Sequence, residues 1–584
     1  MKKIISSVII GFLIIGGLGA VAFDNSDHIT KIKEIIHISQ PIIKDSDEYF
    51  RIDIEESDSY ICYPGKPLLP TVTRIFTFPL GTKIVDVDVR CEYEEYVLSK
   101  KIQPAPTPKI ISKEVSQELN EVVTDETIYT SSDLYPSEPY ILSRGAGLQD
   151  GNHVLFLNVK IALQYLPSLN LLFVPEEIEI TVEYRLPEEP LFTADEYDMV
   201  IIAPSKFSSA LQPLIDHKNN YGVRTFLKTT EEIYNVYEGR DQAEQIKYFI
   251  KDAIESFGIS YVFLVGNIDI IPIRKAAVSW ADYFDDIPTD LYYGDIYDAN
   301  GSFCNWDSNE DNIFGEAVFN YADIIDDVDL YTDANIGRVP CKNNFELFLI
   351  VSKIITYEAQ TYGKDWFNKI ILLGGDTNPE MPGYEGEIVT EQVGNLMRDY
   401  GFITVKLWTS MNNFRPIIIN REVTEGAGFV CYAGHGLERG IITFYPNSTD
   451  MIHYYAPYLF GLMNGDKLPI VFLNACLTAS LDYNYHEINL ACFAWSFVNK
   501  PLGGAIASIG ATRVAYNGEV DDVITGVAVF NVCFFDAYKP GIMVSQMLTK
   551  AQNDYLNDVW DKDVLTIEEY ILLGDPSLKI GGYT

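Results

Sequence analysis

The sequence predicts an α/β protein, with a doubly wound, mainly parallel sheet in two subdomains that follows an all-β segment. Three observations carry the prediction. The chain has 584 residues, 47% of them hydrophobic and 22% charged, which supports roughly three to four domains with buried cores. Up to about residue 185, short apolar runs alternate with polar residues at period two, the pattern of half-buried strands. Beyond residue 197, short continuous apolar runs alternate with helix-length amphipathic segments, and such alternation requires a parallel sheet covered on both faces.

The elements follow in order. Met1-Lys2-Lys3 precedes an apolar run to Gly19, and Ala20-Val21-Ala22 offers the small-x-small pattern of a cleaved signal peptide, so residues 1–22 read as a leader and the mature chain as starting at Phe23. The alternative is an uncleaved anchor, the one route by which this chain would meet a membrane. Either way the protein is expected to be secreted or held at the extracellular cell surface. Residues 23–190 read as a β-sandwich-type domain, with strands at 154–159 and 178–184 and punctuation at Pro104-Ala105-Pro106-Thr107-Pro108. Residues 197–365 form a first α/β subdomain, with strands at 198–204, 223–227 and 261–265 and helices at 205–221 and 241–257. Residues 366–584 form a second, with strands at 369–375, 403–407, 428–432, 469–473 and 505–508 and helices at 387–400 and 490–498.

Charge excludes one class of partner. There are 83 acidic and 43 basic residues, a net charge of -40, which opposes any sequence-independent grip on nucleic acid. Eight cysteines without a CxxC pair argue against a disulfide scaffold or a thiolate metal site, although Cys62 with Cys91, or Cys304 with Cys341, are pairs an oxidising compartment would allow. The stretch 276–337 has no Lys or Arg but fifteen carboxylates, among them Asp285, Asp286, Asp290, Asp295, Asp298 and Asp307. Hard divalent cations relieve such crowding, and calcium is the natural one outside the cell; a solvated acidic surface is the alternative, since no segment has EF-hand spacing.

Three strand ends of the second subdomain carry reactive groups, where open α/β sheets gather their chemistry. The strand ending at Tyr432 runs into Ala433-Gly434-His435-Gly436, the strand ending at Leu473 into Asn474-Ala475-Cys476, and the strand ending at Gly375 presents Asp376. A thiol beside an imidazole is a nucleophile with its own proton carrier. Glycines flanking the imidazole permit close approach and leave amides for a developing oxyanion, and a carboxylate holds the second ring nitrogen in the required tautomer. Taken singly, Cys476 reads as a small core residue, His435 as a structural hydrogen-bonder and Asp376 as a cap. Their joint position at neighbouring strand ends favours catalysis.

These residues resemble the gingipain-like cysteine peptidases, whose catalytic domain has the caspase-like fold. The resemblance rests on Tyr432-Ala433-Gly434-His435-Gly436, Leu473-Asn474-Ala475-Cys476, the run from Gly503 to Gly510, Leu572-Leu573-Gly574-Asp575-Pro576-Ser577-Leu578, Val265-Gly266-Asn267 and Ile336-Gly337-Arg338-Val339-Pro340, and spans residues 197–580. It implies a zymogen of a cysteine endopeptidase acting on proteins or peptides. Cys476 is then the nucleophile, His435 the general acid and base, the amides of Gly436 and Cys476 the oxyanion donors, and Asp376 the residue that orients the histidine. It further implies calcium in the catalytic domain and an inhibitory prodomain in the β-rich segment, with Arg144 or Arg185 as processing points if basic residues are preferred. Such a preference needs an acidic pocket, for which Glu385 and Glu387 are available beside Asp376, although acidic residues also suit the start of the helix that follows. The fold equally allows a transpeptidase, in which an amine resolves the acyl-enzyme. A non-catalytic surface-binding protein has no need of both groups, and a metal hydrolase is disfavoured because the seven histidines show no HExxH spacing.

Overall fold

A computed structural model describes residues 29–584, apart from 47, 107–108, 111–123, 281–282, 319–322, 327, 380–382, 447, 486–487, 521–522 and 561–562. The expected signal peptide lies outside the described residues, among which no helix is long and apolar enough to cross a membrane.

The N-terminal part is built of antiparallel strands: β1 (Thr30–His37), β2 (Leu69–Pro79), β3 (Lys83–Val97), the short β4 (Lys109–Ile110), β5 (Tyr140–Gln149), β6 (Asn152–Ala162) and β7 (Leu171–Arg185). Strand β7 is flanked by β1 and β3 in one sheet, and β6 by β2 and β5 in another. The period-two reading explains the packing. Ile178, Ile180 and Val182 of β7 meet Val72 and Phe76 of β2 and Leu155, Leu157 and Val159 of β6 in one core. On the outer face Glu179 and Glu183 pair across the ladder with Lys33 (2.7 Å) and Lys31 (2.5 Å).

A ten-stranded sheet organises the rest. Its strands are β8 (Met199–Ala203), β9 (Thr225–Thr229), β10 (Tyr261–Val265), β11 (Asn335–Val339), β12 (Lys369–Gly374), β13 (Ile403–Trp408), β14 (Phe429–Ala433), β16 (Ile470–Asn474), β17 (Ala507–Ala511) and β20 (Tyr570–Leu573). Outside it stand β15 (Gly440–Phe444) and the hairpin of β18 (Tyr516–Val520) and β19 (Val523–Gly526). The sheet order is β9-β8-β10-β11-β20-β17-β16-β14-β12-β13. All neighbours are parallel except β17 and β20, which pair antiparallel, so two parallel halves of opposite direction meet at that seam. The helices include α1 (Ser208–Asn220), α2 (Gln242–Phe257), α3 (Asn344–Gln360), α4 (Glu385–Asp399), α5 (Pro416–Glu425), α6 (Val527–Asp536) and α7 (Val544–Asp558). Residues of β8, β10, β14 and β16 are buried throughout, which is why their sequences are continuously apolar.

The two parts share their cores. Trp560 lies in the core of the β part, while Ala146, Val154 and Phe156 of β5 and β6 join the core of the α/β part. Gly145 lies flat against Tyr331, with room for no side chain: an added Cβ would stand 2.0 Å from the ring. The Tyr331 hydroxyl joins Asn158 (2.9 Å) and Asn557 (2.7 Å), and the Ala146 amide donates to Asp329 (2.7 Å). Lys160, fully buried, donates to the Leu556 and Val559 carbonyls at the C-terminal end of α7, where the helix dipole favours a cation.

Candidate active site

Strands β14 and β16 are parallel neighbours, with Ala433 opposite Asn474, so His435 and Cys476 emerge side by side from the same sheet edge. The Gly434 amide donates to the Asn474 carbonyl (3.1 Å), extending the ladder past the strand ends. Gly436 then packs on the Cys476 backbone: a Cβ there would stand 2.1 Å from the Cys476 carbonyl oxygen and 2.9 Å from its nitrogen. This is the close approach that the glycine beside the imidazole serves.

Cys476 is fully buried. Its Sγ accepts the Ala515 amide proton (3.0 Å) and lies 3.4 Å from the Ala515 carbonyl oxygen, towards which the thiol donates. An amide donor favours a thiolate over a thiol. Leu477 takes a left-handed conformation (φ 59°) and turns the chain immediately after Cys476, and its amide donates to the Arg513 carbonyl (2.8 Å). The ladder of β18 begins one residue beyond Ala515. Its outer partner is β4 of the N-terminal part, with Tyr516 opposite Ile110 and Asn517 opposite Lys109.

His435 is half-buried, packed edge-on against Phe444. Its Nε2 meets the main-chain carbonyl of Thr377 at 2.7 Å. A carbonyl only accepts, so Nε2 carries the proton and the basic lone pair sits on Nδ1. The His435 carbonyl is steadied in turn by the Tyr432 hydroxyl, which lies 2.9 Å from it and 2.7 Å from the Ile442 carbonyl.

The orienting oxygen thus differs from the carboxylate of Asp376 that the sequence suggested. Asp376 is buried and accepts the Asn378 amide (2.9 Å), the N–H of the same peptide whose carbonyl faces the imidazole. Its own main-chain carbonyl is tied to β15 by the Phe444 amide (3.0 Å) and the Thr443 hydroxyl (2.8 Å), which leaves the next carbonyl turned to the ring. Burial, and then the nearby charges of Glu385 and Glu387, push the Asp376 carboxyl up to about 6. Glu385 accepts from the Thr377 amide (3.0 Å) and hydroxyl (2.9 Å). Glu387 is buried and accepts from the Ser410 amide (2.9 Å) and hydroxyl (2.5 Å). Both also sit in the first turn of α4, as the dipole argument anticipated. These three carboxylates share one corner beside His435, satisfied by neutral donors.

Of the six acidic residues singled out for calcium, the five whose side chains are described each have other partners. Asp290 grips the buried Arg338 with both oxygens (2.7 and 2.8 Å), and Asp286 faces Lys275 (3.5 Å). Asp295 accepts from the Trp306 indole (3.1 Å), Asp298 from the amides of Asn300 and Ser302 (both 2.8 Å), and Asp307 from the Asp311 amide (2.9 Å) and Arg240. The Asp285 side chain lies outside the described residues. Among the described residues no three of His, Cys, Asp or Glu gather in a metal-ligating group, so those donors do not fit a common ion. All eight cysteines are free thiols. What sequence reasoning missed is mostly main chain: the Thr377 carbonyl and the Ala515 amide carry no side-chain signal.

Comparison with known proteins finds a family and several relatives. The model of Peptidase family C25 matches residues 192–581, and that of the C25 propeptide matches residues 39–205. Gingipain R2 of Porphyromonas gingivalis (strain ATCC BAA-308 / W83) is 24% identical over 496 residues, covering 77% of this chain and 58% of that protein. Gingipain R1 of Porphyromonas gingivalis is 24% identical over 328 residues, covering 54% of this chain and 27% of that one. This chain therefore spans less than three fifths of the length of these relatives. A solved complex of the Porphyromonas gingivalis RgpB pro- and mature domains is similar with a TM-score of 0.48 and 21% identity, covering 66% of this chain and 79% of that one.

Proposed function

Because the chain belongs to peptidase family C25, we propose that it is a cysteine endopeptidase made as a latent zymogen. The observation that carries this reading is the side-by-side emergence of His435 and Cys476 from β14 and β16, with Gly436 seated on the Cys476 backbone.

The chemistry follows from the atoms. Nδ1 of His435 takes the thiol proton, and Sγ attacks the substrate carbonyl. Amides of Gly436 and Cys476 receive the oxyanion. Nδ1 returns the proton to the leaving amine, and water then resolves the acyl-enzyme with the same nitrogen as base. The Nε2 bond to Thr377 holds the ring and its tautomer throughout.

Latency is supported by β4, whose main chain pairs with β18 one residue from the amide that holds the thiol. A strand there excludes an extended substrate from the same edge. The β part thus acts as the inhibitory prodomain, until cleavage at a site such as Arg144 or Arg185. A preference for Arg or Lys at P1 is supported by Asp376 and Glu387, neighbouring carboxylates that form no ion pair among the described residues. A cationic side chain would relieve their mutual repulsion. The leader-like N-terminus supports export to the medium or cell surface.

The test is mass spectrometry of a mixed peptide library incubated with the full chain, with Cys476→Ala and with His435→Ala, with and without an added amine. Free carboxyl termini after basic residues, absent with both variants, support the reading. Amine adducts would replace hydrolysis by transpeptidation, and an intact library would overturn both.

A further inference from the structure

The segment that faces the imidazole is clamped on every polar atom of two successive peptides. In the first, between Asp376 and Thr377, the carbonyl accepts from Thr443 and Phe444 and the amide donates to Glu385. In the second, between Thr377 and Asn378, the carbonyl accepts from His435 and the amide donates to Asp376. One oxygen of Glu385 takes both the Thr377 amide (3.0 Å) and the Thr377 hydroxyl (2.9 Å), so this residue fixes the rotation of Thr377 about its backbone. Glu385 is itself anchored in the first turn of α4, whose next residue, Gly386, donates to the Gly375 carbonyl (3.1 Å). Glu387, two residues on, accepts instead from Thr409 and Ser410 and makes no hydrogen bond to Thr377.

We propose that Glu385 is a positioning residue for catalysis: by clamping Thr377 it aims the main-chain carbonyl that orients His435, and it does not contact the substrate's P1 side chain. This rests on the cysteine peptidase reading and assigns Glu385 a role different from the pocket role its charge suggested. Misorientation of the imidazole lowers the turnover step and leaves ground-state binding alone.

The experiment uses the full chain after self-processing, comparing the parent with Glu385→Ala, Glu385→Gln and Thr377→Val. Peptides with Arg, Lys or Leu at P1 give kcat and KM, and iodoacetamide alkylation against pH gives the ionisation of Cys476. Loss of the clamp should lower kcat about tenfold or more for every peptide, with KM within about twofold, and raise the pH at which Cys476 alkylates. Glu385→Gln, which keeps an acceptor oxygen, should stay within about threefold of the parent. Thr377→Val should lower kcat by a few-fold in the parent and not further in Glu385→Ala. A KM rise confined to Arg and Lys peptides would overturn the proposal in favour of a substrate contact, as would parent-like kcat in Glu385→Ala. Should Glu385→Ala fail to fold, parent-like kcat and alkylation in Thr377→Val would overturn it alone. If Cys476→Ala cleaves like the parent, the peptidase reading itself fails, whatever the Glu385 variants do.

Discussion

Replacing Gly436 with alanine tests the contact on which the site is built. The added Cβ would stand 2.1 Å from the Cys476 carbonyl oxygen and 2.9 Å from both its nitrogen and the Ala475 side chain, where ordinary contact begins at 3.4 Å. Two of those three atoms are main chain, so relief requires the strand ends carrying His435 and Cys476 to part by about 1.3 Å, the difference between 3.4 and 2.1 Å. Gly436 does not sit in the left-handed region, so alanine meets no backbone penalty there and the effect is steric alone. A displacement of about 1 Å in a reacting pair costs on the order of a hundredfold in turnover. The assay is kcat/KM on a fluorogenic peptide, read beside the melting temperature and the alkylation rate of Cys476. We expect a fall of about a hundredfold in a protein that still folds. Activity within threefold of the parent would refute the packing of Gly436 on the nucleophile.

Other outcomes follow from the same atoms. Asp376 is protonated below a pH of about 6 and ionised above it, so cleavage after basic residues should rise from pH 5 to 7, and Asp376→Asn should remove that limb of the profile. Lys160→Met deletes two charge-assisted bonds to the end of α7, worth on the order of 3 kcal/mol together, so in a Cys476→Ala background the variant should expose the contact between β6 and α7 to trypsin about a hundredfold faster. Asp290→Ala leaves the buried Arg338 without its carboxylate and should cost about 3–5 kcal/mol in urea titrations, by the same amount with calcium or with a chelator.

Much of this was legible because it is local. The glycine-flanked His435 and the Asn474-Ala475-Cys476 turn follow short apolar runs, and such runs mark the buried strands of a parallel sheet. Alternation along β7 likewise announced which side chains face the core. Long-range choices were not legible. The pairing of Ile110 with Tyr516 joins residues some four hundred positions apart, and the antiparallel seam of β17 and β20 is set by how the two halves pack. The charge balance of the acidic stretch was not legible for the same reason. It holds no basic residue of its own, yet Arg240, Lys275 and Arg338 fold against Asp307, Asp286 and Asp290, so its charge balance is a tertiary property. Asp376 was read as the partner of His435 because a carboxylate has a sequence signature, whereas the carbonyl of Thr377 has none.

The central claim is that Cys476 is a nucleophile whose reactivity depends on His435. The most direct measurement is intact-protein and peptide mass spectrometry after treating the processed chain with a peptidyl chloromethyl ketone ending in arginine. We expect one adduct, mapped to Cys476, that forms at least a hundredfold more slowly in His435→Ala while the partly exposed Cys533 stays unmodified. An adduct spread over several cysteines, or one on Cys476 that forms as fast without the imidazole, would contradict it.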